Sequence, residues 1–167
     1  MSDPRWIVVM GVAGSGKSTL GAALAEKLGL PFLEGDAFHP PENVAKMAAG
    51  VALTDEDRWP WLDTLGRALR EAEGGAVLAC SALKAIYRAR LRSLSERSLV
   101  FLWLKLDRNV LLERMKGRKG HYMPASLLDS QLATLEPPAE GEFVVTLHGG
   151  RSPKNLLTDA LAQLAQM

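Results

Sequence analysis

An unbroken run of apolar residues is typical of a β-strand buried on both faces, and the chain contains three such runs, at 6–10, 76–80 and 99–104. Shorter apolar segments at 31–33 and 143–147 predict two more strands. Because strands alternate with helices, the pattern predicts a three-layer α/β fold, with a parallel sheet of about five strands and helices on both faces. The helices are predicted from apolar residues that recur three and four positions apart, at 17–28, 42–48, 54–73, 84–94, 108–116 and 125–135, with a last one marked by Leu157, Ala160, Leu161 and Leu164.

A glycine-rich turn follows the first strand and opens the first helix. It matches the P-loop pattern G-x-x-x-x-G-K-[ST] with Gly11, Gly16, Lys17 and Ser18. The glycines let successive backbone N–H groups face one concave space, which suits the oxygens of a diphosphate, and the helix adds the positive end of its dipole. Lys17 can reach the β- and γ-phosphates, and the Ser18 hydroxyl can ligate Mg²⁺. The turn therefore predicts a nucleotide phosphate site, with candidate ligands Gly11, Gly14, Ser15, Gly16, Lys17, Ser18 and Thr19.

Acidic residues at the end of the second strand mark another part of the site, because ligands of parallel α/β sheets bind beyond the carboxyl ends of the strands. Glu34 and Asp36 are two positions apart on a segment that we expect to be extended, so their side chains should point the same way. One carboxylate would support Mg²⁺ and its waters, which makes Ser18 and Glu34 the candidate metal ligands. The other would orient an acceptor hydroxyl and accept its proton.

Composition and charge narrow the classes of protein. The 167 residues suit one domain, and the formal net charge of +1 provides no global field to attract nucleic acid or an acidic membrane. Cys80 is the one cysteine, and no stretch approaches the roughly 18 apolar residues of a membrane span, so we expect a cytoplasmic protein.

Two other classes of P-loop protein fit the sequence less well. The chain lacks the Asn-Lys-x-Asp motif of switch GTPases, and the strand at 76–80 is followed by Ser81, where a motor-type ATPase usually carries an acid.

Five motifs in one order resemble those of the gluconokinase family. They are Gly-Val-Ala-Gly-Ser-Gly-Lys-Ser, Glu-Gly-Asp-Ala-Phe-His-Pro, Asp-Glu-Asp-Arg-Trp-Pro-Trp-Leu, Cys-Ser-Ala-Leu-Lys and Arg-Lys-Gly-His-Tyr-Met. The resemblance implies phosphorylation of D-gluconate at its 6-hydroxyl with ATP and Mg²⁺, a fold similar to those of shikimate and adenylate kinases, and a homodimer. Relatives often have Asp where this chain has Glu34.

The resemblance also implies roles on the acceptor side. Asp36 is the expected catalytic residue that orients the acceptor hydroxyl. The gluconate carboxylate needs a fork of N–H donors, for which Arg58 and Lys84 are the expected partners. His39 and Ser81 are the expected ligands of the hydroxyl groups.

A basic, glycine-flanked stretch at 117–123 belongs to the expected lid over ATP, at 114–123. The lid is part of an insertion at about 114–138 in a single kinase domain that spans 1–167. By analogy with related kinases, Arg118 touches the transferring phosphate and joins Lys17 and Asp36 as a catalytic residue, and Arg114 binds nearer the adenine or the α/β-phosphates. Closing such a lid excludes water and limits wasteful hydrolysis. The sequence leaves two alternatives open: another small-metabolite kinase, such as a shikimate-type kinase, and a nucleotide-binding regulatory domain that uses ATP as a switch.

Overall fold

One parallel sheet forms the centre of the molecule. The structure, a computed structural model, describes residues 5–116, 125–139 and 141–167. The strands lie in the order β2-β3-β1-β4-β5, and every neighbouring pair is parallel, which confirms the predicted sheet. Their bounds are β1 (Arg5–Met10), β2 (Phe32–Glu34), β3 (Gly75–Ala79), β4 (Leu99–Lys105) and β5 (Val144–His148).

Seven helices of the described chain connect and cover these strands. Each predicted helix is present, and the predicted bounds agree with the observed ones to within two residues. Local signals explain this agreement: Thr54, for example, begins a helix with a capping box in which its hydroxyl accepts from the Asp57 N–H. The helices are α1 (Lys17–Leu28), α2 (Pro41–Ala48), α3 (Asp55–Glu71), α4 (Ala85–Ser95), α5 (Arg108–Lys116), α6 (Ala125–Thr134) and α7 (Pro153–Ala165).

The core has two layers because side chains of a strand alternate between the faces of a sheet. In β1, Val8 and Met10 pack on the face covered by α3 and α4, whereas Ile7 and Val9 pack on the face covered by α1 and α7. The stripe predicted for α7 packs on this core, with Ala160 and Leu164 fully buried and Leu157 and Leu161 partly buried, and Leu156 joins it. In the described part of the chain, no helix combines the length and the apolar character that a membrane crossing requires.

The strand order brings three loops to one edge of the sheet. The phosphate loop follows the central strand β1, and the loop after β3 runs beside it, since Gly11 N–H donates to Ser81 O at 3.4 Å. The turn after β2 lies next to β3 and depends on Gly35, because a Cβ there would lie 2.3 Å from the carbonyl oxygen of Ala79. Residues far apart in sequence therefore converge at the carboxyl ends of neighbouring strands.

A buried ion pair fixes the loop after β3 to the segment that follows α6. Arg88 of α4 is fully buried, and its guanidinium binds Glu142 in a bidentate manner, with Nε–Oε2 and Nη2–Oε1 distances of 2.6 and 3.0 Å. The same guanidinium donates to Ala82 O at 2.8 Å and to Glu136 O at 3.1 Å. Glu136 adds two more bonds, from its N–H to Leu83 O and from Ala85 N–H to its carboxylate.

Candidate active site

The phosphate loop has the backbone geometry of an anion site. Gly14 and Gly16 have φ angles of +80° and +93°, which favour glycine. Gly16 also precedes α1 and provides no side chain to cap it, so the first N–H groups of the helix can donate to a ligand. At Gly11, a Cβ would lie 2.8 Å from the Ser15 hydroxyl oxygen and 3.1 Å from Leu104 O, so the turn leaves no room for a side chain.

Two side chains from the flanking helices α5 and α6 contact this loop. Arg114 Nη1 donates to Ser15 O at 3.1 Å, which puts the predicted ATP ligand beside the phosphate loop. Gln131 Oε1 accepts from Ala13 N–H at 2.8 Å, a contact that sequence analysis missed. Ala13 and Gln131 lie 118 positions apart, and a polar residue on an amphipathic helix carries no signal for such a contact.

A cleft of about 630 Å³, counted with its open mouth, lies beside the loop and joins five of the predicted site residues. A phosphate-loop lysine, a carboxylate, an imidazole, a guanidinium and a hydroxyl line its wall, contributed by Lys17, Asp36, His39, Arg58 and Ser81. The rest of the wall consists of Ala13, Met47, Val51, Ala52, Leu53, Trp61, Leu83, Leu127, Ser130 and Gln131. A polar acceptor can thus meet a nucleotide phosphate within one cleft.

Glu34 and Asp36 do not lie on one extended segment, so that prediction is wrong. β2 ends at Glu34, and Gly35–Phe38 form a turn of 3₁₀ helix, which rotates Asp36 away from the alternation of the strand. The Asp36 side chain is 66% exposed at the cleft, whereas Glu34 Oε1 is buried and has no hydrogen-bond partner in the described chain. The two carboxylates therefore differ in their surroundings and in the chemistry open to them.

The orphaned oxygen of Glu34 fits a magnesium site of the P-loop type. Mg²⁺ prefers oxygen ligands, keeps several waters, and takes one or two protein oxygens beside substrate phosphates. Within the described ranges, no three His, Cys, Asp or Glu side chains cluster into a cage of their own. Ser18 at the start of α1 and Glu34 at the end of β2 are consistent with such a sparse donor set.

Both hydrogen bonds that Arg58 makes in the described chain come from one guanidinium nitrogen, Nη1. Its Nη1 donates to Leu53 O at 2.8 Å and to the Tyr87 hydroxyl at 2.9 Å. Tyr87 in turn donates to the Asp55 carboxylate, and burial together with that bond raises the pKa of Tyr87 to about 12, so the hydroxyl keeps its proton. In the described chain, Nε and Nη2 of Arg58 donate no hydrogen bond, and this edge of a guanidinium matches a carboxylate.

Lys84 does not join the cleft in this structure. It is the N-cap of α4, and its ammonium lies 3.0 and 3.2 Å from the two oxygens of Asp55. Bonds from Tyr87 and Lys84 hold the pKa of Asp55 below its usual value. The contact of Lys84 with a substrate carboxylate stays a prediction. In the structure its partner is Asp55, which also accepts from Tyr87, the residue that anchors Arg58.

His39 is buried in the wall of the cleft, with a side chain that is 3% exposed. Its ring stacks on Trp61, with centroids 4.0 Å apart and an angle of 16° between the planes. Burial lowers the pKa of His39, the negative charge of Asp36 opposes that shift, and Arg58 adds to it. Trp61 is 2% exposed and packs α3 onto the sheet.

Cys80 and Arg88 are buried residues without a role in the cleft, and part of the predicted lid lies outside the described residues. Cys80 is fully buried, and desolvation raises the pKa of its thiol to about 12, which disfavours the nucleophilic thiolate at neutral pH. Arg88 belongs to the buried ion pair with Glu142. Arg118 lies outside the described residues, as does the basic stretch around it, so its role stays a prediction.

Comparisons with known proteins agree with this architecture. The shikimate kinase family model matches residues 13–136. The solved structure of a shikimate kinase from Aquifex aeolicus superposes with a TM-score of 0.62 at 18% identity and covers 97% of both chains, a likeness that concerns the fold alone. Together with the phosphate loop, these findings define the class: the chain is a P-loop kinase of the shikimate-kinase type.

More similar proteins specify the family. A gluconokinase of Gluconobacter oxydans is 48% identical over 161 residues, which cover 95% of this chain and 90% of that protein. The thermoresistant gluconokinase of Escherichia coli is 42% identical over 143 residues, which cover 84% and 81% of the two chains. A crystal structure of a gluconokinase from Sinorhizobium meliloti superposes with a TM-score of 0.91 at 48% identity, over 99% of this chain and 94% of that one. The chain belongs to the gluconokinase family.

Proposed function

We propose that this protein transfers the γ-phosphoryl group of ATP to the 6-hydroxyl of D-gluconate and forms 6-phospho-D-gluconate and ADP. The observation that carries the proposal is the single cleft in which Lys17 of the phosphate loop meets Asp36, Arg58 and Ser81. The family relationship supports gluconate as the acceptor, since the similar proteins are gluconokinases.

The phosphate loop and its neighbours would bind the nucleotide. The N–H groups at the start of α1 and the Lys17 ammonium face the β- and γ-phosphates and neutralise the charge that develops on them. Arg114, already bonded to the loop, adds a second cation near the phosphates. Ser18 and Glu34 would hold Mg²⁺, which would help to neutralise the negative charge of the phosphates.

Asp36 and Arg58 would position the acceptor. The open Nε–Nη2 edge of Arg58 binds the gluconate carboxylate, and Ser81 and His39 contact hydroxyl groups along the sugar acid. The Asp36 carboxylate accepts the proton of the 6-hydroxyl as its oxygen bonds to the γ-phosphorus and the bond to the bridging β,γ-oxygen breaks. Because the transfer requires alignment more than covalent help, the main contribution of the cleft is to position the reactants.

A coupled assay of ADP release tests the proposal. With Mg·ATP, we expect strong stimulation by D-gluconate and background rates with shikimate, AMP or no acceptor. Stimulation by shikimate instead would favour a shikimate-type kinase, and nucleotide binding without stimulation by any acceptor would favour a regulatory domain. The homodimer and the cytoplasmic location stay predictions, and the solution mass of the purified chain reports the first of them.

Replacement of Asp36 by Asn tests the acceptor role. The variant keeps the shape of the side chain and removes its basicity, so we expect a fall of about 100-fold or more in kcat with little change in ATP affinity. Calorimetric titration with a non-hydrolysable ATP analogue supplies the binding measurement. Retained turnover would remove Asp36 from the transfer step.

A further inference from the structure

Asn43, a residue with no assigned role, is buried beside His39 in an orientation that its neighbours determine. It is 2% exposed, and its Nδ2 lies 2.9 Å from Asp57 O and 3.2 Å from His39 Nδ1. A backbone carbonyl oxygen can only accept, so the amide nitrogen must face Asp57. The same nitrogen then offers its second hydrogen to His39.

This contact decides which nitrogen of His39 carries a proton. Since the Asn43 amide donates, Nδ1 of His39 must accept, and the proton of the neutral imidazole resides on Nε2. Protonation of Nδ1 would place two donors against each other. The stack on Trp61, whose indole N–H is bonded to Gly35 O at 2.8 Å, holds the ring in this orientation.

The remaining polar atom of the ring faces the catalytic carboxylate. His39 Nε2 lies 4.0 Å from Asp36 Oδ1, which is too far for a hydrogen bond between them. Two atoms at that separation can both lie at hydrogen-bonding distance, about 2.8 Å, from a third oxygen placed between them. A hydroxyl group fits this position, because it can accept from the N–H and donate to the carboxylate.

We propose that Asn43 keeps His39 as the neutral imidazole protonated on Nε2, and that this N–H and Asp36 together hold one hydroxyl of the acceptor. Asn43 is thus a positioning residue and His39 a specificity-determining one. The hydroxyl partner rests on the kinase function proposed above, whereas the state of the ring does not depend on it.

A neutral His39 ring leaves the Asp36 carboxylate available to accept a hydrogen bond from the acceptor. An imidazolium would pair with Asp36 and compete with the acceptor for the base. The charged groups near the ring agree with a neutral state: Arg58 of α3 opposes protonation, and Lys46 of α2 is paired with Asp57 at 2.7 Å. The negative charge of Asp36 favours protonation of His39, but the effect of burial, which lowers the pKa of the ring, is larger.

Nitrogen NMR of the ¹⁵N-histidine-labelled protein tests the state of the ring directly. The chain has only three histidines, and the spectrum of His39→Gln assigns the resonances of His39 by difference. We expect an unprotonated Nδ1 and a protonated Nε2 at pH 7, with protonation of Nδ1 at a lower pH than in an exposed histidine. A proton on Nδ1, or on both nitrogens at pH 7, would overturn the inference.

Two variants of Asn43 test its consequence for activity. Asn43→Ala and Asn43→Asp both lose the bond to Asp57 O, and only the aspartate introduces a charge that favours an imidazolium. For Asn43→Asp we expect the acidic limb of kcat against pH to move up by about one unit or more relative to Asn43→Ala, with recovery at alkaline pH. Identical profiles for the two variants would refute the role of Asn43.

The wild-type spectrum decides the inference even when a variant fails to fold. A protein that has the expected ring state but shows no stimulation by gluconate would refute the proposed acceptor. Full activity on gluconate with a proton on Nδ1 would refute the present inference alone.

Discussion

The Arg88–Glu142 pair provides a prediction whose size follows from the structure. The Arg88 side chain is fully buried and the Glu142 side chain is 10% exposed, so solvent screens their interaction weakly. The Arg88 side chain holds the pKa of Glu142 at about 2, against an ordinary value of 4.5. A shift of about 2.5 units at roughly 1.4 kcal/mol per unit corresponds to about 3–4 kcal/mol of folding free energy.

The pH dependence of this contribution has a definite sign. The folded-state pKa lies below the unfolded one, so the carboxylate stabilises the fold fully above about pH 4.5. The contribution disappears as the pH falls from about 4.5 towards 2, where the folded form also takes up the proton. Arg88 keeps its charge throughout this range.

Glu142→Gln removes the carboxylate and leaves the buried guanidinium with its carbonyl partners. At pH 7 we expect the free energy of unfolding to fall by about 3–4 kcal/mol, which lowers Tm by roughly 6–16 °C. Urea unfolding followed by circular dichroism between pH 7 and 3.5 measures the difference from wild type, which should shrink below pH 4.5. Asp129→Asn is the matched control, because it breaks a half-exposed pair with Arg108 and should leave Tm nearly unchanged. An equal effect of the two substitutions, or a difference that does not vary with pH, would refute the reasoning.

Three other substitutions test the site. Lys17→Ala should lower kcat by about 100-fold or more in the ADP-release assay, and near-normal turnover would exclude the lysine from phosphate stabilisation. Tyr87→Phe releases Arg58 from one of its two anchors, so KM for gluconate should rise about 10-fold while KM for ATP stays constant; an equal change in both would indicate a general packing defect. Gly35→Ala would place a Cβ 2.3 Å from Ala79 O and should lower kcat and Tm, whereas Gly74→Ala, with no atom within 4 Å, should change neither.

Features encoded by neighbouring residues could be predicted from the sequence. The helices, the strands and the phosphate loop follow from apolar spacing, from caps and from glycines, all of which act within a few positions. The convergence of Lys17, Asp36 and Ser81 was also predictable, because parallel strands carry their ligands at one edge, whereas the position of Arg58 in the cleft was implied only by the family resemblance.

Features that depend on distant partners could not be predicted. The direction of Lys84 follows from Asp55, which lies 29 positions away. The extended conformation predicted after Glu34 is wrong, because nothing adjacent in the sequence marks the close approach of Gly35 to β3. Asn43 has no motif to distinguish it, and its importance arises only where the chain brings α2 and α3 against His39.

The central position of β1 has a consequence for redesign of the protein. The loop that binds phosphates rises from the middle strand, whereas most of the acceptor wall comes from residues 36–61 on the side of β2 and β3. These two parts of the cleft depend on different stretches of backbone. A library of substitutions at Met47, Val51 and Leu53 can therefore reshape the acceptor space while the phosphate loop keeps its geometry. The same scaffold thus offers a starting point for kinases that accept other hydroxylated acids.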